Sequence, residues 1–179
     1  MLSAAETVLV IVDVQGKLAR LMDGSEALHQ QLVSLISGAR LFDLPIVWLE
    51  QLPQKLGATS EELQAVLEGH QPIAKEHFSA WPCDAFRAAL KHTERKQVLL
   101  CGIETHICVY QTCRDLLDNG FDVHLVADAM GSRTAANKAL GLQMMLQAGA
   151  KLTNVESLLF ELQHHAVGDN FKALLKLIK

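Results

Sequence analysis

Short apolar runs alternate along the chain with stretches in which apolar positions recur at helical spacing. TVLVIVD (residues 7–13), PIVWLE (45–50), KQVLLCG (96–102) and FDVHLVAD (121–128) read as strands, with PIAKEH (72–77) and KLTN (151–154) as shorter ones. SEALHQQLVSLISGARLF (25–42) reads as a helix with Ser25 as its N-cap and Leu28, Leu32, Leu35, Ile36 and Ala39 on one face. A short helix is expected after Thr59. CDAFRAALKH (83–92), THICVYQTCRDLLDNG (105–120, closed by Gly120) and TAANKALGLQMMLQAGA (134–150) give further helices, and one or two more close the chain.

Strands that are apolar on both parities must be covered on both faces, and their alternation with helices demands crossover connections. The pattern therefore predicts the α/β class: one doubly wound, Rossmann-like domain over residues 1–179, with a mostly parallel sheet flanked by helices. In such sheets ligands bind beyond the carboxyl ends of the strands. Those ends carry Asp13, Glu50 and Gln51, Lys75, the segment 102–108, and Asp128.

Asp13 ends an apolar strand, where it serves either chemistry or the capping of the next turn. Lys75 stands near Phe78 and Trp81, as a cation beside an acid or thiol, or as a surface lysine with its stem over Trp81. Cys108 falls in the first turn of the helix expected from Thr105. There the helix dipole and unpaired N–H groups favour a thiolate and lower its pKa from about 8.5. The same N–H groups are suited to an oxyanion. Cys113 lies a turn and a half further on and is expected to pack as a small hydrophobe, like Cys101 within its strand. Asp13, Lys75 and Cys108 thus fall at one edge of one sheet, an acid, a cation and a nucleophile suited to covalent acyl transfer.

Composition narrows the field. Half of the 179 residues are hydrophobic, enough for one sizeable core. The net charge is -4 with the signs interspersed, so neither nucleic acid nor an anionic membrane is an expected partner. The only long apolar run near the start, VLVIV, is too short for a signal peptide or a span, and the chain reads as soluble and cytoplasmic. Its four cysteines include no C-x-x-C pair and are expected to be free thiols. The turn DVQGKL has neither a G-x-G-x-x-G nor a Walker pattern, so no nucleotide cofactor is expected.

VIVDVQGKL (10–18), KEHFSAW (75–81), GIETHICVYQTCRDLLDNGFDVHLVADAMGSR (102–133) and TNVESLLFEL (153–162) together resemble the isochorismatase-like cysteine hydrolase superfamily, in order over nearly the whole chain. The resemblance implies a Rossmann-like fold and an Asp–Lys–Cys triad at Asp13, Lys75 and Cys108. It implies that Asp13 takes the thiol proton, that Lys75 holds the thiolate and orients Asp13, and that a thioester forms and is hydrolysed. It places the oxyanion hole at the backbone amides of Glu104 and Cys108, next to a cis peptide joining Ile103 and Glu104. Members that cleave isochorismate have a small residue in place of the cysteine, so Cys108 points toward C–N hydrolysis. Nicotinamidases carry an Asp and two His between the second strand and the catalytic Lys. EQLPQKLGATSEEL (50–63) has none, and His70 and His77 do not fit that spacing, so no metal is implied. The EQ-P--LG-T pattern resembles the poorly characterised hydrolase branch.

Gln51, Phe78 and Trp81 are candidates for the substrate pocket, with core packing an equal role for Trp48. His106 and Cys108, two apart on a helix, do not face the same way and make no metal pair. His164 and His165 are expected in solvent. Arg133 is open between an acidic substrate group and a subunit contact. The function expected is hydrolysis of a small amide or related C–N bond by a homo-oligomer. The alternative is a catalytically silent oligomeric binding or assembly protein on the same fold.

Overall fold

Every residue of the first strand, β1 (Thr7–Val12), is buried, because apolar side chains on both parities leave neither face for water. In the computed structural model, which describes residues 1–178, β1 lies at the centre of a six-stranded sheet. The elements follow in the order β1, α1 (Gly16–Arg20), α2 (Ser25–Leu41), β2 (Ile46–Gln51), α3 (Pro53–Leu56), α4 (Glu61–Val66), β3 (Ile73–Lys75), α5 (Asp84–His92) and β4 (Gln97–Ile103). A π-helical turn (Thr105–Val109) leads into α6 (Tyr110–Asp118). Then come β5 (Asp122–Gly131), α7 (Ala135–Gln147), β6 (Lys151–Thr153), α8 (Val155–Gln163) and α9 (Asp169–Leu177).

The strand order is β3-β2-β1-β4-β5-β6 and every pairing is parallel, so the mostly parallel sheet expected is parallel throughout. The order reverses between β1 and β4, which opens a crevice at their carboxyl ends. Leu9 and Ile11 of β1 pack with α2, α4, α8 and α9 on one face. Val8, Val10 and Val12 pack with α5, α6 and α7 on the other.

Several local expectations differ from the structure. Ser25 is the first residue of α2 rather than its cap; the cap position is Gly24, and Ser25 Oγ donates to Ala19 O at 2.8 Å. The short helices α1 and α3 carry too few periodic positions to be visible in the pattern. The helix expected from Thr105 opens as a π turn before becoming α-helical at Tyr110. Asp128 does not end its strand: the β4–β5 register shifts between Leu100 and Gly102, and β5 continues to Gly131. The Asp128 carboxylate instead accepts the N–H of Val155 at the start of α8.

One close approach shapes the crevice. Gly102 has φ +112, and a Cβ there would lie 2.1 Å from Val12 O. Only glycine lets the ends of β1 and β4 come this near, which brings Asp13 beside the turn that carries Cys108.

Candidate active site

Asp13 follows β1 with φ +53, a left-handed conformation that costs a non-glycine residue about 1–3 kcal/mol. It is 3% exposed. Its Oδ2 accepts from Lys75 Nζ at 2.7 Å, while Oδ1 is buried without a hydrogen-bond partner. Burial holds its carboxyl above the usual range, against the opposing pull of Lys75.

Lys75 ends β3, which pairs in parallel with β2 so that Lys75 lies level with Gln51. Its ammonium is enclosed by four acceptors: Asp13 Oδ2, Gln51 Oε1 at 2.6 Å, His77 O at 3.0 Å and Phe78 O at 3.1 Å. A buried cation is tolerated only when paired and hydrogen-bonded, and this one is both. Gln51 is held in turn by Gln15, whose Oε1 accepts the Gln51 N–H at 2.6 Å and whose Nε2 donates to Gln51 O at 3.1 Å. Gln15 is part of the clamp that the sequence reading overlooked; the VDVQ stretch was its only signal.

Cys108 sits in the π turn, partly buried. Thr105 Oγ1 ties the turn to Gly131 O at 3.0 Å, and Glu104 O accepts the N–H groups of Ile107 and Val109. The Ile103–Glu104 peptide is cis. Gly141 of α7 backs the turn so closely that a Cβ would stand 2.8 Å from His106 Cα and N. The thiol is near enough to Asp13 to respond to it. Burial and then the Asp13 carboxylate push it up to about 12, against Lys75. The lowered thiol expected from the helix terminus is therefore not found: desolvation and a neighbouring anion outweigh the dipole. Cys113 is also pushed up to about 12 by burial, and Cys101 is raised by burial alone.

The loop after Lys75 is pinned to α6, with Ser79 Oγ donating to Asp115 Oδ2 at 2.5 Å and Ala80 N–H to Thr112 Oγ1 at 3.0 Å. The structure thus brings Asp13, Lys75, Gln51 and Cys108 to one crevice, between β1 and β4 at the switch point. Gln51 spends its side chain on Lys75 Nζ and Glu76 O. Phe78 stands exposed next to Lys75. Trp81 lies elsewhere: its ring meets Phe121 edge-on at 6.1 Å, and Phe121 precedes β5 at the amino end of the sheet. The short loop, held on α6, carries the indole away from the crevice. A recess of about 130 Å³ opens beside Lys75, lined by Leu52, Pro53, Ala74 and Glu76.

Around this centre, Glu104 is buried and its carboxylate takes Nε of Arg133. His106 Nδ1 lies 3.0 Å from Ser132 Oγ, and Trp48 Nε1 donates to Thr59 Oγ1 in the core. His164 and His165 are exposed. Among the described residues, no group of three or more His, Cys, Asp and Glu side chains is placed to hold a metal ion. No helix there is long and apolar enough to cross a membrane.

Residues 7–157 match the family model described as the isochorismatase domain. The secreted isochorismatase effector Isc1 of Phytophthora sojae is 39% identical over 177 residues, 97% of this chain and 84% of the effector. The MAR1 ribonuclease of Caenorhabditis elegans superposes with a TM-score of 0.91 at 34% identity, over 99% of this chain and 91% of its own. YcaC of Pseudomonas aeruginosa, solved with hexane-2,5-diol and covalent acrylamide, gives a TM-score of 0.92 at 28% identity over 98% of this chain and 90% of its own. YcaC of Escherichia coli, described as an octameric hydrolase of unknown specificity, gives 0.93 at 26% identity over 98% and 89%.

Proposed function

The chain belongs to the isochorismatase family, whose members are generally hydrolytic, and we propose that it hydrolyses a small amide or related C–N bond through a thioester on Cys108. One observation carries the reading. Lys75 holds one oxygen of Asp13 and leaves the other buried, unpartnered and close to the Cys108 thiol.

The chemistry follows from that arrangement. Asp13 Oδ1 takes the proton of Cys108 Sγ as the sulfur attacks the carbonyl carbon, so the thiol need not be ionised beforehand. The raised Asp13 pKa makes it a stronger base for this transfer. The new oxyanion is held by the N–H groups of Glu104 and Cys108. Asp13 passes its proton to the nitrogen, the C–N bond breaks, and the amine leaves. Water then attacks the thioester, giving its proton to Asp13, and the S–C bond breaks to release the acid and restore the thiol. Lys75 keeps Asp13 in place throughout, with Gln51 holding Lys75. Phe78 supplies apolar contact for the substrate.

The rival reading, a silent assembly protein, does not account for an ion pair with side chains only 0% and 4% exposed beside a thiol. The name of the nematode relative raises a ribonuclease reading, but a net charge of -4 opposes binding to a phosphate backbone. We place the protein in the cytoplasm on the strength of its four free cysteines, although a relative is a secreted effector. A homo-oligomer is favoured by the octameric YcaC neighbour.

A screen over small amides, reading released ammonia or amine with Cys108→Ala as the blank, tests the function. Intact-mass detection of an acyl group on Cys108 is the supporting result. Turnover that survives in Cys108→Ala overturns the assignment.

A further inference from the structure

Arg133 follows β5 at the same edge of the sheet. Its Nε donates to both oxygens of Glu104, at 3.1 and 3.2 Å, and its backbone N–H donates to Oε2 at 3.1 Å. Glu104 is 6% exposed and is the cap residue of the turn that carries Cys108. The guanidinium is thus gripped by its inner edge. Its terminal Nη1 and Nη2 donate to nothing among the described residues, and the side chain is 55% exposed.

Given the hydrolase reading, on which this inference rests, we propose that Arg133 is the specificity residue that receives a carboxylate. The substrate is then a small amide that also bears an acidic group. The two free Nη groups form the end-on fork that matches a carboxylate through two parallel hydrogen bonds. Glu104 and the Arg133 backbone fix that fork before substrate arrives, so little side-chain entropy is left to lose. Glu104 also cancels much of the guanidinium charge, which suits a monoanion better than a phosphate dianion. Other nearby cations are already engaged. Lys75 has four acceptors for three N–H donors, and Arg20 is paired with Glu62 at 2.6 Å. Lys138 of α7 is partly buried, and that burial disfavours its charged form against the pull of Asp128 and Asp23.

Thiol alkylation tests this without relying on turnover. The full-length protein is treated with iodoacetate and 3-iodopropanoate, and with the matching neutral amides. Each reagent forms an S–C bond and releases iodide, and mass spectrometry reads the rates at Cys108 and at the partly exposed Cys83 as an internal reference. For at least one chain length, the acid-to-amide rate ratio at Cys108 should exceed that at Cys83 by about tenfold, the equivalent of about 1.4 kcal/mol. Arg133→Ala should bring the two ratios together, and Arg133→Lys, which keeps the charge but not the fork, should fall between. Using ratios cancels any general change that the loss of Arg133 imposes on the thiol. A Cys108 that reacts with the same ratio as Cys83, or a raised ratio that survives Arg133→Ala, overturns the inference alone. A Cys108 that takes none of the reagents at any pH up to about 10, while Cys83 reacts, is closed to small molecules and overturns the hydrolase reading and this inference with it.

Discussion

Lys75 Nζ stands 2.7 Å from Asp13 Oδ2, and neither side chain is more than 4% exposed. Sixty-two residues separate the two in sequence, and they meet because β3 and β1 flank β2 with their carboxyl ends aligned. Removing one member leaves the other charged, buried and alone. Lys75→Met should therefore destabilise the fold by about 3–5 kcal/mol, measured by urea unfolding. A loss below about 1 kcal/mol would mean that water reaches the pair.

Asp13→Asn separates a base from a structural acid through effects of opposite sign. Asp13 raises the Cys108 thiol and Lys75 lowers it, so removing the carboxylate favours the thiolate. Iodoacetamide should label Cys108 faster at pH 7.5, by about tenfold for each pH unit the titration drops. Amide turnover should be lost at the same time, because the proton has no acceptor and the leaving amine no donor. Labelling and turnover that fall together would point to collapse of the site.

Alkaline pH should weaken the fold through the buried thiols. Cys101 and Cys113 are fully buried and raised above the ordinary thiol range, Cys113 to about 12. Above pH 9 the unfolded chain loses these protons while the folded chain keeps them. The folded state then binds more protons, so stability falls as pH rises, by about 1.4 kcal/mol per pH unit for each thiol. The decline from Cys113 ends as pH passes its folded value. Melting curves from pH 7 to 10 should show the loss setting in near pH 9, and Cys113→Ala should make it shallower.

Gly141→Ala probes how α7 supports the nucleophile's turn. The added Cβ would press on backbone atoms of His106 and Thr105 at 2.8 Å, and backbone cannot rotate away. A cost of about 1–3 kcal/mol is expected. Turnover should fall even at temperatures where the variant is fully folded, because the shift reaches the turn holding Cys108. Full activity in a folded variant would separate α7 from the site.

Much of the site was legible because its chemistry lies at strand ends, and strand ends are readable from apolar runs. Asp13, Lys75 and Cys108 were each marked by such a run or by the start of the helix that follows one. Gln51 was visible as a strand-end residue but not as the partner of Lys75, since that depends on the register of β3 against β2. Gln15 showed only as part of the VDVQ stretch, and the Glu104 side chain gave no signal of its pairing with Arg133. A glutamine's partners and a carboxylate's depend on which loops meet in space, as Glu104 meets Arg133 twenty-nine residues away.

The sequence by itself determined the class of fold and the edge of the sheet where chemistry collects. Apolar periodicity and strand length are local properties of the chain, and burial of both sheet faces follows from them. Tertiary structure alone decided the electrostatics. A helix terminus read locally favours a thiolate, yet burial in the crevice and the Asp13 carboxylate raise the Cys108 thiol instead. Desolvation depends on everything packed around a group, and no short stretch of sequence carries that sum.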